Sequence, residues 1–276
     1  MEELDSVLRD VSGKLGRVVE VYLIGGLAMM RHGLKATTKD VDLVFVDAAD
    51  EREFKTALLP CEFQCASDVP ECYRALEATT IMDRPDGMRF DMFVGRVCRK
   101  LRLTDGMRRR ATRIDLEGHL QLMVMAPEDV FLLKSVTDRD DDLADMALLA
   151  GKGLDWRAIL DELRSDAENY RYLPHLSAKL DALEDGHGIV VPGRRQLERE
   201  AEIVMAINIL EDHMRGGPLT LPDATRHLGE GDEFSTSVLD RMKELGLIRE
   251  RDGIYVRVDA DTGLHGAPST GAANPP

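Results

Sequence analysis

The sequence predicts an α+β protein in which a mixed sheet with flanking helices precedes a helical block and a small helical domain that ends in a β-hairpin. Three observations support this prediction. Apolar runs rich in β-branched residues alternate with helical patterns over residues 1–126. Apolar positions recur at helical spacing over residues 127–183. After a Gly-rich break, three helical patterns are followed by two short strand patterns.

The first 126 residues are expected to form the sheet and its flanking helices. The first helix is predicted by apolar residues at helical spacing: Leu4, Val7, Leu8, Val11 and Leu15. "RVVEVYLIGG" predicts a strand that ends in a Gly-Gly turn, and the strand "VDLVFV" lies between short helices expected near residues 27–32 and 49–59. "LEATTIMD" and "MRFDMFV", joined by the turn "RPDG", predict a hairpin, and "HLQLMVMA" predicts a further strand.

The domain boundaries follow from changes in pattern along the chain. Residues 127–183 are expected to form a helical block packed on the sheet domain, and "EDGHGIVVPGRR", residues 184–195, is expected to be a linker. Residues 196–258 have the order of a winged helix-turn-helix: three helices and a hairpin that turns at Asp252-Gly253. Residues 259–276 contain almost no large apolar side chain and are expected to be disordered.

The charge balance limits the class of protein. The chain carries a net charge of -15, with 30 Asp and 21 Glu against 9 Lys and 27 Arg. This excess of acid argues against a protein that coats nucleic acid through bulk positive charge, although it leaves room for a local basic patch.

Targeting segments and metal-binding cysteines are not expected. The N-terminus is acidic, and no apolar run approaches about 18 residues, so neither a signal peptide nor a membrane span is expected and we place the protein in the cytoplasm. The four cysteines are too few for a disulfide scaffold and lack a familiar zinc spacing: Cys61, Cys65, Cys72 and Cys98.

One stretch carries chemistry: "LIGGLAMMRHGLKATTKDVDLVFV", from Leu23 to Val46. Residues two apart in a strand project from the same face, about 6.6 Å apart, so Asp40 and Asp42 point the same way. Two such carboxylates repel each other unless a cation lies between them, and Mg²⁺ prefers hard oxygen ligands. Gly25 and Gly26 lie where a strand turns into a helix, and glycines there let the backbone approach a phosphate.

This stretch resembles the signature of the DNA polymerase β-like nucleotidyltransferases: a hydrophobic residue, Gly, Gly or Ser, nine to thirteen residues, then Asp, hydrophobic, Asp or Glu, hydrophobic. Ile24-Gly25-Gly26 followed by Asp40-Val41-Asp42-Leu43 satisfies it at the upper spacing limit. The superfamily usually adds a third carboxylate from a later strand, and Asp91 in "RFDMFV" is well placed for that role.

Within the superfamily, the chain most resembles the AbiEii-like toxins and related uncharacterised nucleotidyltransferase-like proteins. Their later motif, a Lys followed by an Asp-Leu-x-Asp helix, resembles Lys134 with Asp142-Leu143-Ala144-Asp145, and their Asp-Trp helix start resembles Asp155-Trp156. The resemblance covers about residues 15–165. It departs from the family pattern at Ala36, where these proteins often carry Arg; Lys35 lies beside that position.

The resemblance implies Mg²⁺-dependent transfer of a nucleoside monophosphate from an NTP to a hydroxyl, with release of pyrophosphate. Asp40 and Asp42 would hold one metal ion, and Asp42 with Asp91 a second one. Residues expected to contact the triphosphate are Gly25, Gly26, Thr38 and Lys134. The acceptor stays open between the 3′ end of a transfer RNA, a protein hydroxyl and a small molecule, as do the choice of NTP and the oligomeric state. The resemblance also suggests a toxin with an antitoxin partner.

A binding protein is the competing interpretation: a degenerate nucleotidyltransferase-like domain that senses nucleotide or pairs with another protein, attached to a winged helix that binds DNA. Arg249 and Arg251 on the predicted wing could contact phosphates of nucleic acid. Asp240 and Glu244 make the third helix a poor major-groove reader, and the domain could instead serve dimerisation. The presence of all three acids favours the enzyme.

Overall fold

The computed structural model describes residues 2–38, 40–66, 77–137 and 139–258. They divide into two compact units, which meet between Ala201 and Glu202. Cys72 and the predicted disordered tail, residues 259–276, lie outside the described residues.

The first unit contains nine strands and the helices that flank them, among the described residues. The strands are β1 Val19–Leu23, β2 Asp40–Phe45, β3 Gln64–Cys65, β4 Thr80–Asp83, β5 Arg89–Val94, β6 Arg96–Val97, β7 Leu101–Arg102, β8 Thr112–Ile114 and β9 Leu120–Val124. The helices are α1 Glu2–Lys14, α2 Gly25–Arg31, α3 Ala48–Leu58, α4 Asp105–Arg110, α5 Pro127–Ser135, α6 Asp140–Ala150, α7 Trp156–Arg164, α8 Ala167–Tyr170, α9 Leu173–His187 and α10 Arg194–Met214, which continues into the second unit.

Seven strands form one mixed sheet in the order β3-β4-β5-β2-β1-β9-β8. Strands β2 and β5 run parallel, β1 and β9 run parallel, and the remaining neighbours are antiparallel. The predicted hairpin is therefore present as β4 and β5. This topology confirms the α+β prediction of a mixed sheet with flanking helices, and it places β2 and β5 side by side near the centre.

Apolar side chains of the central strands form the core beneath the sheet. Val41 and Leu43 of β2 are buried, as the alternation of the sequence predicts. The rings of Phe45, Phe54 and Phe90 pack in a row at steep angles to one another, with centroids 5.3 and 5.9 Å apart. This aromatic row fixes α3 against β2 and β5, and it thereby fixes the two strands that carry the acids.

A buried ionic cluster links the helical block to the domain that contains the sheet. Asp129, in the first turn of α5, and Glu162, in α7, are almost fully buried. Arg110 at the end of α4 donates to both oxygens of Asp129, at 3.1 and 2.5 Å, and also to Glu162. Burial raises the pKa of Asp129 to about 6, and Arg110 opposes that shift. The cluster fixes the first turn of α5, which carries Lys134 near its other end.

The second unit contains the remainder of α10, followed by β10 Leu219–Thr220, α11 Leu221–Leu228, α12 Asp232–Glu244, β11 Ile248–Arg251 and β12 Ile254–Arg257. Its strands form a small sheet in the order β10-β12-β11. The predicted order of three helices and a hairpin is present, with one short strand, β10, that the sequence does not predict. A capping box between Thr220 and Asp223 begins α11.

The predicted linker 184–195 is shorter in the structure. Helix α9 continues to His187 and α10 begins at Arg194, so only residues 188–193 lie between helices. Gly188, with a φ of 64°, ends α9 in the left-handed conformation that glycine adopts without strain, so the break falls there and not at Glu184.

In the described part of the chain, no helix is both long and apolar enough to cross a membrane.

Candidate active site

The three predicted acids lie on the two adjacent central strands. In the parallel register of β2 and β5, Asp42 is directly opposite Asp91. Asp40 lies two residues before Asp42, on the same face of β2. The sequence predicts the shared face of Asp40 and Asp42, whereas the pairing with Asp91 depends on the strand register.

Among the described residues, Asp91 is a buried carboxylate without a compensating hydrogen bond. Its side chain is 1% exposed, and no group in the described ranges donates to either carboxylate oxygen. Burial raises its pKa to about 7, and the neighbouring charges of Asp42 and Asp40 add to the shift. A buried carboxylate of this kind costs free energy unless it is protonated or binds a cation.

Burial also disfavours the ionised form of Asp42, but positive charges lie near this carboxylate. Burial raises its pKa to about 6; Lys134 is the main charge that opposes this shift, and Arg139 adds a smaller opposing effect. The Asp42 carboxylate therefore has Asp91 opposite it on β5 and the cations Lys134 and Arg139 of the helical block nearby.

The Gly-Gly turn makes room for two of the predicted site residues. Gly25 has a φ of 61°, and a Cβ atom there would lie 2.0 Å from Oδ2 of Asp42. A Cβ atom on Gly26 would lie 2.7 Å from Oγ1 of Thr38. The sequence predicts glycines that admit a phosphate; in the structure they also admit the Asp42 and Thr38 side chains. The turn is joined to β2 by a 3.0 Å hydrogen bond from Ile24 N to Asp42 O.

Lys134 lies on α5, is 9% exposed and makes two ion pairs. Its Nζ atom is 2.5 Å from Oδ1 of Asp142 and 2.9 Å from Oδ2 of Asp145. Burial by itself would lower its pKa, but the two carboxylates raise it above the ordinary value, so Lys134 stays charged. The predicted Asp-Leu-x-Asp motif thus faces Lys134, because residues three apart share a helix face.

The structure adds one site residue that the sequence does not predict. Arg139 precedes α6 and lines a small, solvent-open pocket together with Gly25, Asp42, Lys134 and Asp142. In the sequence Arg139 belongs to the charged run "RDDDLAD", where nothing distinguishes a buried contact from a solvated face.

Not all predicted residues line this pocket. Thr38 and Asp40 line a different pocket, and Thr38 Oγ1 donates to Asp40 O at 3.3 Å; Asp91 and Gly26 line neither of the two pockets. Arg249 and Arg251 are exposed on β11 in the second unit, opposite Val256 and Ile254 of β12.

The donor set fits a hard divalent cation. All three acids supply carboxylate oxygens, and both oxygens of Asp91 are buried with no hydrogen-bond partner from the described residues. Within the described ranges, no three His, Cys, Asp or Glu side chains are already gathered closely enough to surround a metal ion. Three carboxylates repel one another when no cation offsets their charge.

The comparisons with known proteins give structural likenesses but no family. No protein-family model matches the sequence, and no curated protein matches it. Among solved structures, the crystal structure of a "putative nucleotidyltransferase from H. pylori" aligns over 88% of this chain and 96% of that chain, with 13% identity and a TM-score of 0.33. Both values are too low to establish a shared fold.

We predict that Gly25→Ala disrupts the site and Gly13→Ala does not. The added methyl group at position 25 would collide with Asp42, and the left-handed φ of this position is strained for alanine. Together these effects should lower the free energy of unfolding by about 1–3 kcal/mol. Gly13, in α1, has open space around its Cβ position, so Gly13→Ala should raise it by about 0.5 kcal/mol. Urea denaturation measures both. Equal effects of the two substitutions would contradict the packing of Gly25 on Asp42.

We predict that the metal-free protein becomes more stable as the pH falls from 7 to 5. Because the pKa of Asp91 is raised from 3.8 to about 7 in the folded state, that state binds more protons than the unfolded state between these values. The free energy of unfolding should therefore decrease as the pH rises through this window, by roughly 2 kcal/mol from Asp91.

The variant Asp91→Asn removes this contribution and should flatten the pH dependence of unfolding measured in the presence of a chelator. Asp115→Asn is the matched control, because its side chain is 96% exposed. An unchanged pH profile in Asp91→Asn would show that Asp91 is not the titrating group.

Proposed function

We propose that the protein is a magnesium-dependent nucleotidyltransferase that moves a nucleoside monophosphate from an NTP to a hydroxyl acceptor. The observation that carries this proposal is the buried Asp91 carboxylate, which is directly opposite Asp42 and has no hydrogen-bond partner in the part of the chain that the structure describes. A protein that never binds a cation there gains nothing from keeping this destabilising pair. The Gly-Gly turn and the cation Lys134 on either side of Asp42 suit the triphosphate of the donor.

Asp40 and Asp42 would hold one Mg²⁺ ion, and Asp42 with Asp91 a second one. Bound Mg²⁺ neutralises phosphate charge and lowers the pKa of an attacking hydroxyl. Asp91 would also accept the proton of that hydroxyl. Lys134 would offset charge that develops on the triphosphate. Gly25, Gly26 and Thr38 would position the phosphates.

The proposal is tested by the magnesium dependence of NTP binding. An NTP should raise the melting temperature in the presence of Mg²⁺ and much less in a chelator, because the ligand binds only the folded state and the cation relieves the repulsion among the acids. Asp42→Asn should abolish this shift, since Asp42 would serve both ions. Asp91→Asn should keep most of the shift yet lose transfer of label from each labelled NTP to pools of RNA and protein.

The control for these substitutions is Asp115→Asn, which should behave as the wild type. Stabilisation that is the same with and without Mg²⁺ would remove the metal from the mechanism. Magnesium-dependent binding without transfer to any pool would favour the nucleotide-sensing alternative.

We infer that the second unit is a winged helix-turn-helix that binds the acceptor through phosphates. Two observations support this inference: the unit has three helices followed by a hairpin, and Arg249 and Arg251 are exposed on one face of that hairpin. Residues two apart in a strand lie on the same face, so the two guanidinium groups could follow a phosphate backbone together. An RNA acceptor fits this inference. The association with an antitoxin rests on the family resemblance alone.

Replacing Arg249 and Arg251 by Ala should lower transfer to RNA. It should also reduce the slope of log RNA affinity against log salt concentration by about 1–2. The shift in melting temperature with Mg²⁺ and NTP should stay unchanged. The matched control replaces Arg215 and Arg226, exposed on the same unit, which removes the same charge. Equal losses in the two double variants would show that the hairpin has no specific role.

A further inference from the structure

The cationic side of the pocket is an unbroken chain of alternating charges. Lys35 Nζ lies 2.9 Å from both oxygens of Asp145, and Asp145 is 2.9 Å from Lys134 Nζ. Lys134 lies 2.5 Å from Asp142, whose other oxygen accepts from Arg139 Nε at 2.7 Å. The chain links three cations through two carboxylates and ends at Arg139.

The two carboxylates hold the cations and have little capacity left for a metal ion. Asp142 is 2% exposed; its Oδ1 atom accepts from Lys134, and its Oδ2 atom accepts from Arg139 and Thr137. Burial alone would raise the pKa of Asp142, but Lys134 and Arg139 lower it below the ordinary value, so this carboxylate stays ionised. Both oxygens of Asp142 are therefore engaged in holding cations.

The backbone before Arg139 is fixed from two directions. The carbonyl of Ser135 accepts hydrogen bonds from Tyr172 Oη at 2.6 Å and from the His175 ring at 3.2 Å. The carbonyl of Val136 accepts from Lys100 Nζ at 2.6 Å. These contacts occupy carbonyls at the end of α5 that have no partner within the helix, and they restrict the path of the chain toward Arg139.

Part of the Arg139 guanidinium is available to donate hydrogen bonds to a ligand. Its side chain is 44% exposed, and Nε is committed to Asp142. In the part of the chain that the structure describes, no group accepts a hydrogen bond from its two terminal nitrogens. Both nitrogens belong to a side chain that lines the pocket with Asp42 and Gly25. A planar fork of charged donors in this position matches the oxygens of a phosphate.

We propose that Arg139 binds the terminal phosphate of the NTP and makes the site select nucleoside triphosphates over diphosphates. This inference rests on the proposed function and assigns a specificity residue to it. Lys134 is almost fully buried whereas Arg139 is 44% exposed, so Lys134 lies deeper in the pocket and Arg139 nearer its opening, where the end of the phosphate chain would lie. Asp142 is a positioning residue, since it orients both cations and touches no phosphate itself.

The test is titration calorimetry of the full chain with the magnesium complexes of α,β-methylene-ATP and α,β-methylene-ADP, which are not cleaved at the α-phosphate. We expect the wild type to prefer the triphosphate by about 10-fold or more. Arg139→Ala should weaken triphosphate binding by about 10-fold and change diphosphate binding by less than about 2-fold. Arg139→Lys should restore part of the preference, because it keeps the charge and loses the fork.

Arg99→Ala is the matched control, because Arg99 is 79% exposed on the neighbouring β6–β7 hairpin and does not line the pocket. Its triphosphate preference should equal that of the wild type. The inference is overturned if Arg139→Ala leaves the preference unchanged, or if it weakens both nucleotides equally, as a general charge effect would. A wild type that binds neither nucleotide would overturn the proposed function together with this inference, whereas binding without the Arg139 effect would overturn this inference alone.

Discussion

The facing pair of Asp42 and Asp91, on neighbouring parallel strands near the centre of the sheet, is the constraint on which the site depends. Burial raises the pKa of Asp42 to about 6 and that of Asp91 to about 7, and the charge of Asp42 adds to the shift of Asp91. Such a pair is stable only with protons or cations nearby. The neighbouring features answer this constraint: Gly25 leaves space for the Asp42 carboxylate, and Lys134 brings positive charge to it.

The charge balance around the pair suits a polyanion. Lys35, Lys134 and Arg139 carry three positive charges, and the two buried carboxylates that hold them leave one positive charge in excess. Of these three cations, Lys134 and Arg139 line the pocket, where their charges equal those of Asp42 and Asp142. A divalent cation between the acids and a phosphate chain along the cations would satisfy both sides of the site.

The helical block positions the cations because α5 is fixed at both ends. Asp129, in its first turn, is paired with Arg110, and the carbonyl of Ser135, its last residue, accepts from Tyr172. Lys134 lies between these anchors, one residue before Ser135. Movement of α5 would have to break buried charged hydrogen bonds, which are costly to leave without partners. The cation opposite Asp42 is therefore held by the packing of four helices, α4, α5, α7 and α9.

The sequence by itself determined the local features of the site, because these depend on residues close in the chain. Period-two alternation puts Asp40 and Asp42 on one face of β2, and the three-residue spacing of Asp142 and Asp145 puts both on one face of α6. It also predicted the mixed sheet and the helices and hairpin of the second unit. Only the tertiary structure decided that Asp91 lies opposite Asp42, that the glycines admit Asp42 and Thr38, and that Arg139 reaches the pocket. These contacts join segments distant in the chain, and they depend on strand register and helix packing, which no local pattern encodes.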